Sequence, residues 1–182
     1  METGSAIPST WKFLSAAIDW LRESMSKRNS SVERVKAVLE NLDIPIQVQE
    51  LPHSTRTAVE AAEAVKSSVG QIVKSLVFKT PAGQPVLILT SGSNQVDEKY
   101  AGNLLGEKIS FADAEYVRTQ TGFAIGGVSP YGLKKEIPIY IDRDLLQYKL
   151  VWAAAGSSHA VFSISPQDLV GTTQGEVISV HP

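Results

Sequence analysis

Apolar positions along this chain alternate between two periods, and the changes of period mark its elements. Over residues 10–28, Trp11, Leu14, Ile18, Leu21 and Met25 recur at three- and four-residue steps, with Asp19, Arg22 and Glu23 between them. That spacing predicts an amphipathic helix, closed by the polar hinge SMSKRNSS. A second helix is expected from Ser30 or Ser31, where Ser30 and Glu33 fit a capping box ahead of the stripe Val32, Val35, Val38, Leu39 and Leu42. Asp43, Ile44 and Pro45 stop it, and IQVQEL then alternates as a strand does.

Thr57 and Glu60 form another capping-box pair before the alanine-rich AAEAV. Beyond Gly70, IVKSLVFKT and VLILT read as two strands across the turn PAGQP, hence an antiparallel pair. VLILT has no polar alternation and is expected to be buried on both faces. Short helices follow at residues 97–105 and 112–119, flanking a short strand at KISF. IPIYID predicts a strand, DRDLL a helical turn, and VWAAAG with AVFSI a hairpin across GSSH. Ser165 and Pro166 open a last helix as cap and first-turn proline, and EVISV ends the series as a strand. Hairpins mixed with helices exclude a regular βαβ winding. The expected fold is α/β of the α+β kind: one domain, residues 31–182, with a curved, mixed, largely antiparallel sheet among helices. Residues 1–30 are expected to form an N-terminal helical extension, either packed on its own domain or a dimer partner or serving as an added contact for selectivity.

Composition narrows the chemistry. With 182 residues and 43% hydrophobic content, the chain can bury a sizeable core. A net charge of −2 excludes a generic polyanion binder, which needs a clearly basic surface. Without cysteine there is no disulfide, thiolate nucleophile or thiolate metal site. The three histidines are scattered, so neither a metal nor another cofactor is expected. No apolar run approaches a membrane span, and no secretory leader is visible, so a soluble cytoplasmic protein with no membrane partner is expected.

Three features could carry chemistry. Lys74 interrupts an apolar strand, and is either a solvated lysine or a cation held in a cleft for a phosphate or carboxylate. The run AIGGVSPYG, residues 124–132, holds three glycines and a proline. It matches neither a Walker loop nor GxGxxG. It is either a tight turn over Ser129–Gly132 or a place where Gly126 and Gly127 offer bare amides to a developing oxyanion. His159 follows Gly156, Ser157 and Ser158 in a predicted turn, as a surface residue or as a base titrating near neutrality. No acid is placed to complete a serine triad.

Taken together, TAVEAAEAV, GQIVKSLVFK, GGVSPYG and VWAAAGSSHAVFSISPQDLV resemble the YbaK/ProX-type aminoacyl-tRNA deacylases over roughly residues 31–180. The same domain is inserted in some prolyl-tRNA synthetases as an editing module. The resemblance implies a freestanding trans-editing hydrolase that removes a wrongly attached small amino acid from tRNA, with proline tRNA the expected one. Its partners would be the aminoacyl-tRNA acceptor end and an aminoacyl-tRNA synthetase. The family's strand lysine falls on Lys74, its GxxxP loop on Gly126 to Pro130, and the histidine of some members on His159. Lys74 would anchor the phosphate or adenosine of the acceptor end. Gly126 and Gly127 would present amides to the acyl carbonyl, with Ser129 and Pro130 limiting the side-chain pocket. Gly156 and Ser157 would contact substrate, and His159 would order the attacking water. The terminal ribose hydroxyl could assist. The aspartate of members acting on cysteinyl-tRNA falls near Val161, apolar here, which weighs against cysteine specificity. The rival readings are a non-catalytic module that binds the acceptor end or a nucleotide, and a small-molecule esterase using His159.

Overall fold

The computed structural model describes residues 30–182, so the helix expected at residues 10–28 lies outside the described residues. The first described element, helix α1 (residues 30–39), buries Val32, Val35 and Leu39, the predicted stripe. Strand β1 (Val48–Glu50) precedes helix α2 (Ala58–Ala64). The α2 capping box is formed: Glu60 N–H donates to Thr57 Oγ1 at 3.2 Å, and Thr57 N–H donates back to Glu60 Oε2 at 3.3 Å. A turn of 3-10 helix at Val69–Gln71 leads into β2 (Ile72–Lys79), which hairpins to β3 (Pro85–Ser91). Helix α3 (Glu98–Leu105), strand β4 (Ser110–Phe111) and helix α4 (Ala114–Thr121) follow. Asp97 and Asp113 cap the two helices, and left-handed glycines, Gly106 and Gly122, end them. After the glycine run come β5 (Ile139–Asp142), a 3-10 segment (Arg143–Gln147), β6 (Val151–Ser157), β7 (Ala160–Ile164), α5 (Pro166–Thr173) and β8 (Glu176–Ile178).

The strands make one open, mixed sheet in the order β1-β7-β6-β2-β3-β5-β8, with β4 added beside β2. The pairs β1–β7, β2–β3, β2–β4 and β6–β7 are antiparallel, whereas β2–β6, β3–β5 and β5–β8 are parallel. Period-two alternation divides the core. On one face Leu87 and Leu89 of β3 meet α1, α4 and α5 through Val35, Val117 and Leu169. On the other, Val86 and Ile88 meet α3 at Ala101, while α2 covers Ile72 with Ala61 and Ala62. Strand β3 is therefore apolar on both faces because both are covered.

One glycine fixes where α1 can sit. Gly156, at φ +90°, lies so close to α1 that a β-carbon there would stand 2.6 Å from the Ser31 carbonyl oxygen. Gly156→Ala is expected to destabilise the fold by more than about 1 kcal/mol, through strain at positive φ plus a backbone clash. Gly171, inside α5 with open space around it, should give the opposite sign, a gain of about 0.5–1 kcal/mol on Gly171→Ala. Urea unfolding of both variants checks the pair.

Candidate active site

Strand β2 is paired along one edge by β3, from Val73 opposite Ser91 to Lys79 opposite Pro85. Its other edge is shared. Parallel β6 holds only Ile72 and Val73, and β4 holds Phe78 and Lys79. The Ala112 N–H closes the β4 side by donating to the Val77 carbonyl at 3.1 Å. Between these two, on this edge, no strand among the described residues lies beside Lys74, Ser75 and Leu76. Strand β6 leaves β2 there because its register with β7 shifts between Ala154 and Ser157, around left-handed Gly156. A cavity of about 360 Å³ fills the gap, its walls including Lys74, Ser75, Gly126, Trp152, Ser157 and Val161.

Lys74 enters the cavity from the strand face it shares with Ile72 and Leu76. Its Nζ donates to the Asn94 carbonyl oxygen. The Asn94 side-chain amide in turn donates to Asp142 Oδ2 at 2.9 Å and Asp144 Oδ2 at 2.8 Å. Asp142 is buried, and its carboxylate also accepts from the main-chain N–H groups of Ser91, at 3.0 Å, and Asp144, at 3.1 Å. Burial holds the Lys74 ammonium below its ordinary pKa, and the negative Asp142 partly offsets that fall. Sequence reasoning missed Asn94 and Asp142, since neither belongs to a motif and only β3 and β5 pairing brings them to Lys74.

The glycine run has two jobs. Ala124 to Gly127 close a tight turn, with Gly127 N–H donating to the Ala124 carbonyl at 2.9 Å and Gly126 at φ +84°. That is type II chemistry, with glycine at the left-handed position. The amide of Gly127 is thus occupied inside the turn, while among the described residues nothing accepts from the Gly126 N–H. Gly127 is bare for another reason: a β-carbon there would lie 2.7 Å from Ser157 Cα, so the turn rests directly on β6. Ser129 is fully buried, and its Oγ accepts from Tyr131 N–H at 3.2 Å. Arg34 of α1 ties down both ends of the run. Its Nε donates to Gly132 O at 2.7 Å and its Nη2 to Gly122 O at 3.1 Å, with the guanidinium over the Phe123 ring.

Of the eight residues singled out from the sequence, Lys74, Gly126 and Ser157 meet on the cavity wall; Gly127, Ser129, Pro130, Gly156 and His159 lie outside it. His159 occupies the β6–β7 turn, where its main-chain N–H donates to Ser157 Oγ at 3.2 Å and its carbonyl accepts from Leu51 N–H at 2.6 Å. Its ring Nδ1 stands 3.4 Å from Ser158 Oγ. Among the described residues no group of three His, Cys, Asp or Glu is placed to hold a metal ion, and no helix is long and apolar enough to cross a membrane.

The model of the aminoacyl-tRNA editing domain matches residues 53–172, a span that contains the cavity wall from Thr55 to Val161. The chain belongs to the aminoacyl-tRNA editing domain family. An uncharacterised Bacillus subtilis protein, YwhH, is 34% identical over 122 residues, covering 67% of this chain and 78% of its own length. EbsC of Enterococcus faecalis, named a candidate Cys-tRNA(Pro)/Cys-tRNA(Cys) deacylase, is 26% identical over 125 residues, 68% of this chain and 76% of its own. A solved structure of a candidate trans-editing enzyme for prolyl-tRNA synthetase superposes with a TM-score of 0.78 at 46% identity, over 84% of this chain and 97% of that one.

In this editing domain, the ammonium of Lys74 should titrate below the exposed lysines when followed by NMR at Cε. Asp142→Asn removes the charge that props it up and should lower its pKa further. Because the folded value lies below the ordinary one, the unfolded chain binds more protons between the two. Stability attributable to Lys74 therefore rises as pH climbs through that window. A Lys74 that titrates with the exposed lysines would contradict the burial described above.

Proposed function

We propose that this chain hydrolyses the ester of a tRNA carrying a wrongly attached small amino acid, acting in trans, with proline tRNA the favoured substrate. The observation that carries the reading is the meeting of Lys74, Gly126 and Ser157, which come from distant parts of the chain, on one cavity. Family membership and the named trans-editing and deacylase relatives support it.

An aminoacyl ester is already activated, so no covalent nucleophile is needed. The site must hold the acceptor end, admit water and stabilise the tetrahedral oxyanion. A single oxyanion donor is worth roughly 3 kcal/mol in protease-type sites. Gly126 N–H is the loop amide left unused by the turn, and it faces the acyl carbonyl. Lys74 holds the phosphate or the adenosine of the acceptor end. Ser157 contacts the aminoacyl group. The attacking water is ordered by the terminal ribose hydroxyl, with His159 supporting the β6–β7 turn behind Ser157.

At about 360 Å³ the cavity is near the lower end of small-ligand sites, roughly 300–1,000 Å³. It takes an aminoacyl group and part of a ribose, and leaves the rest of the tRNA outside. Val161 and Ala154 make its wall apolar where a polar amino acid would need a partner. Size exclusion rejects bulk well and smaller groups poorly, since one methylene is worth roughly 1–3 kcal/mol. The tRNA itself, or a partner synthetase, must supply the remaining selectivity.

A panel of alanyl-, cysteinyl-, seryl- and prolyl-tRNA(Pro) tests this. Turnover is expected on at least one of the small mischarged species, with prolyl-tRNA spared. Lys74→Ala should cost about 10- to 100-fold in kcat/KM, the scale of a lost charged hydrogen bond. Retention of labelled aminoacyl-tRNA without release of amino acid would favour a binding module. Equal cleavage of simple esters, insensitive to Lys74, would favour an esterase.

A further inference from the structure

The unpaired stretch of β2 has a definite polarity. Gly92 N–H donates to the Ile72 carbonyl at 2.7 Å, so even-numbered residues of β2 turn their main-chain groups toward β3. Ala112 N–H donates to the Val77 carbonyl, so odd-numbered residues turn theirs the other way. In an antiparallel ladder both main-chain groups of one residue point to the same edge. Val73 spends its groups on β6 and Val77 on the β4 side. Ser75, between them, directs both N–H and C=O into the cavity, with no strand among the described residues to receive either. Its side chain adds a second anomaly: Ser75 Oγ is buried without a hydrogen-bond partner among the described residues. Orphan polar groups of this kind are rare in native folds and call for an explanation.

We propose that the aminoacyl group of the substrate docks on Ser75 as a one-residue strand. This rests on the deacylase reading above and deepens it. An aminoacyl ester carries an ammonium N–H and an acyl C=O on one α-carbon, as a strand residue carries its N–H and C=O. Extended, it pairs with Ser75 as the missing residue of the ladder. Ser75 N–H donates to the acyl oxygen, and Ser75 C=O accepts from the α-ammonium. This is strand addition reduced to its smallest unit. It selects α-amino acyl groups over other acyl esters, whatever their side chain. During hydrolysis the water oxygen bonds to the acyl carbon and negative charge gathers on the acyl oxygen, where Ser75 N–H stabilises it. The carbon–oxygen bond to ribose then breaks, the ribose oxygen takes one proton of the attacking water, the other is released to solvent, and free amino acid departs as its carboxylate. Ser75 itself forms no covalent bond.

Ser75→Pro deletes the N–H. That N–H faces the open edge, so no β2–β3 bond is lost, and extended Lys74 suits a following proline. Its kcat should fall about 10²- to 10³-fold, with circular dichroism and Tm close to wild type. A second measurement covers the case in which Ser75→Pro fails to fold. Wild-type protein is titrated with 3′-alanylamino-3′-deoxyadenosine, which cannot hydrolyse, and with its propionyl counterpart, which lacks the ammonium. The Ser75 amide resonance should shift downfield and gain protection from exchange with the first, and the second should bind at least tenfold more weakly. A wild type that turns over mischarged tRNA, yet shows an unmoved Ser75 amide at saturation or equal affinity for the two analogues, overturns the proposal and leaves the deacylase reading standing. A wild type without turnover on any mischarged tRNA removes the reading on which it rests.

Discussion

Everything at the site follows from how the two edges of strand β2 are shared. The β3 edge is satisfied along its whole length. The other edge belongs to β6 at one end and to β4 at the other, and neither reaches the middle. A sheet tolerates such a gap only if something prevents its collapse. Here β6 is turned aside by the bulge at Gly156, whose bare α-carbon is pressed against α1. The glycine turn at Ala124–Gly127 lies against Ser157 and props the opening from the other wall. Arg34 fixes both ends of that loop to the same helix α1. One helix thus holds the bulge and the loop together, and the cavity between them is a consequence.

The same geometry accounts for the electrostatics. Lys74 is carried into the opening by β2 and loses hydration there, which lowers its pKa. An ammonium in that position needs an acceptor, and the Asn94 carbonyl supplies one. Asn94 is in turn held by the carboxylates of Asp142 and Asp144. Among the described residues the acids are hydrogen-bonded to Asn94 rather than to Lys74 itself, which in the proposed role leaves the ammonium donors for a ligand. A lysine locked in a direct buried ion pair would have little left to offer an incoming phosphate. In the proposed role, holding the charge in place beforehand lowers the cost of ordering it when substrate arrives.

Much of this was legible in the sequence, for identifiable reasons. Capping pairs such as Thr57 with Glu60 and the β-branched runs are local signals, and the elements they mark appear where expected. The β2–β3 hairpin was readable from its turn. The parallel pairs β2–β6, β3–β5 and β5–β8 were not, because they join segments tens of residues apart and leave no periodic trace. The site shows the same division. Lys74 stood out as a charge in an apolar strand. Asn94 and Asp142 did not, since a single asparagine in a loop and a single aspartate at a strand end are ordinary. The glycine run stands out for its missing side chains, yet only the folded chain separates Gly126, whose amide has no acceptor among the described residues, from Gly127, whose amide closes the turn. Ser75 carried no signal at all, because its distinction is which edge of the strand it faces.

A crystal structure of the chain with 3′-alanylamino-3′-deoxyadenosine tests the central claim, that the gap in β2 receives the aminoacyl end of tRNA. The account predicts the alanyl group beside Ser75, between β6 and β4, with the nucleoside within reach of Lys74. Analogue bound elsewhere, for example in the groove between Leu133 and Gln174, with the β2 gap empty, would contradict it.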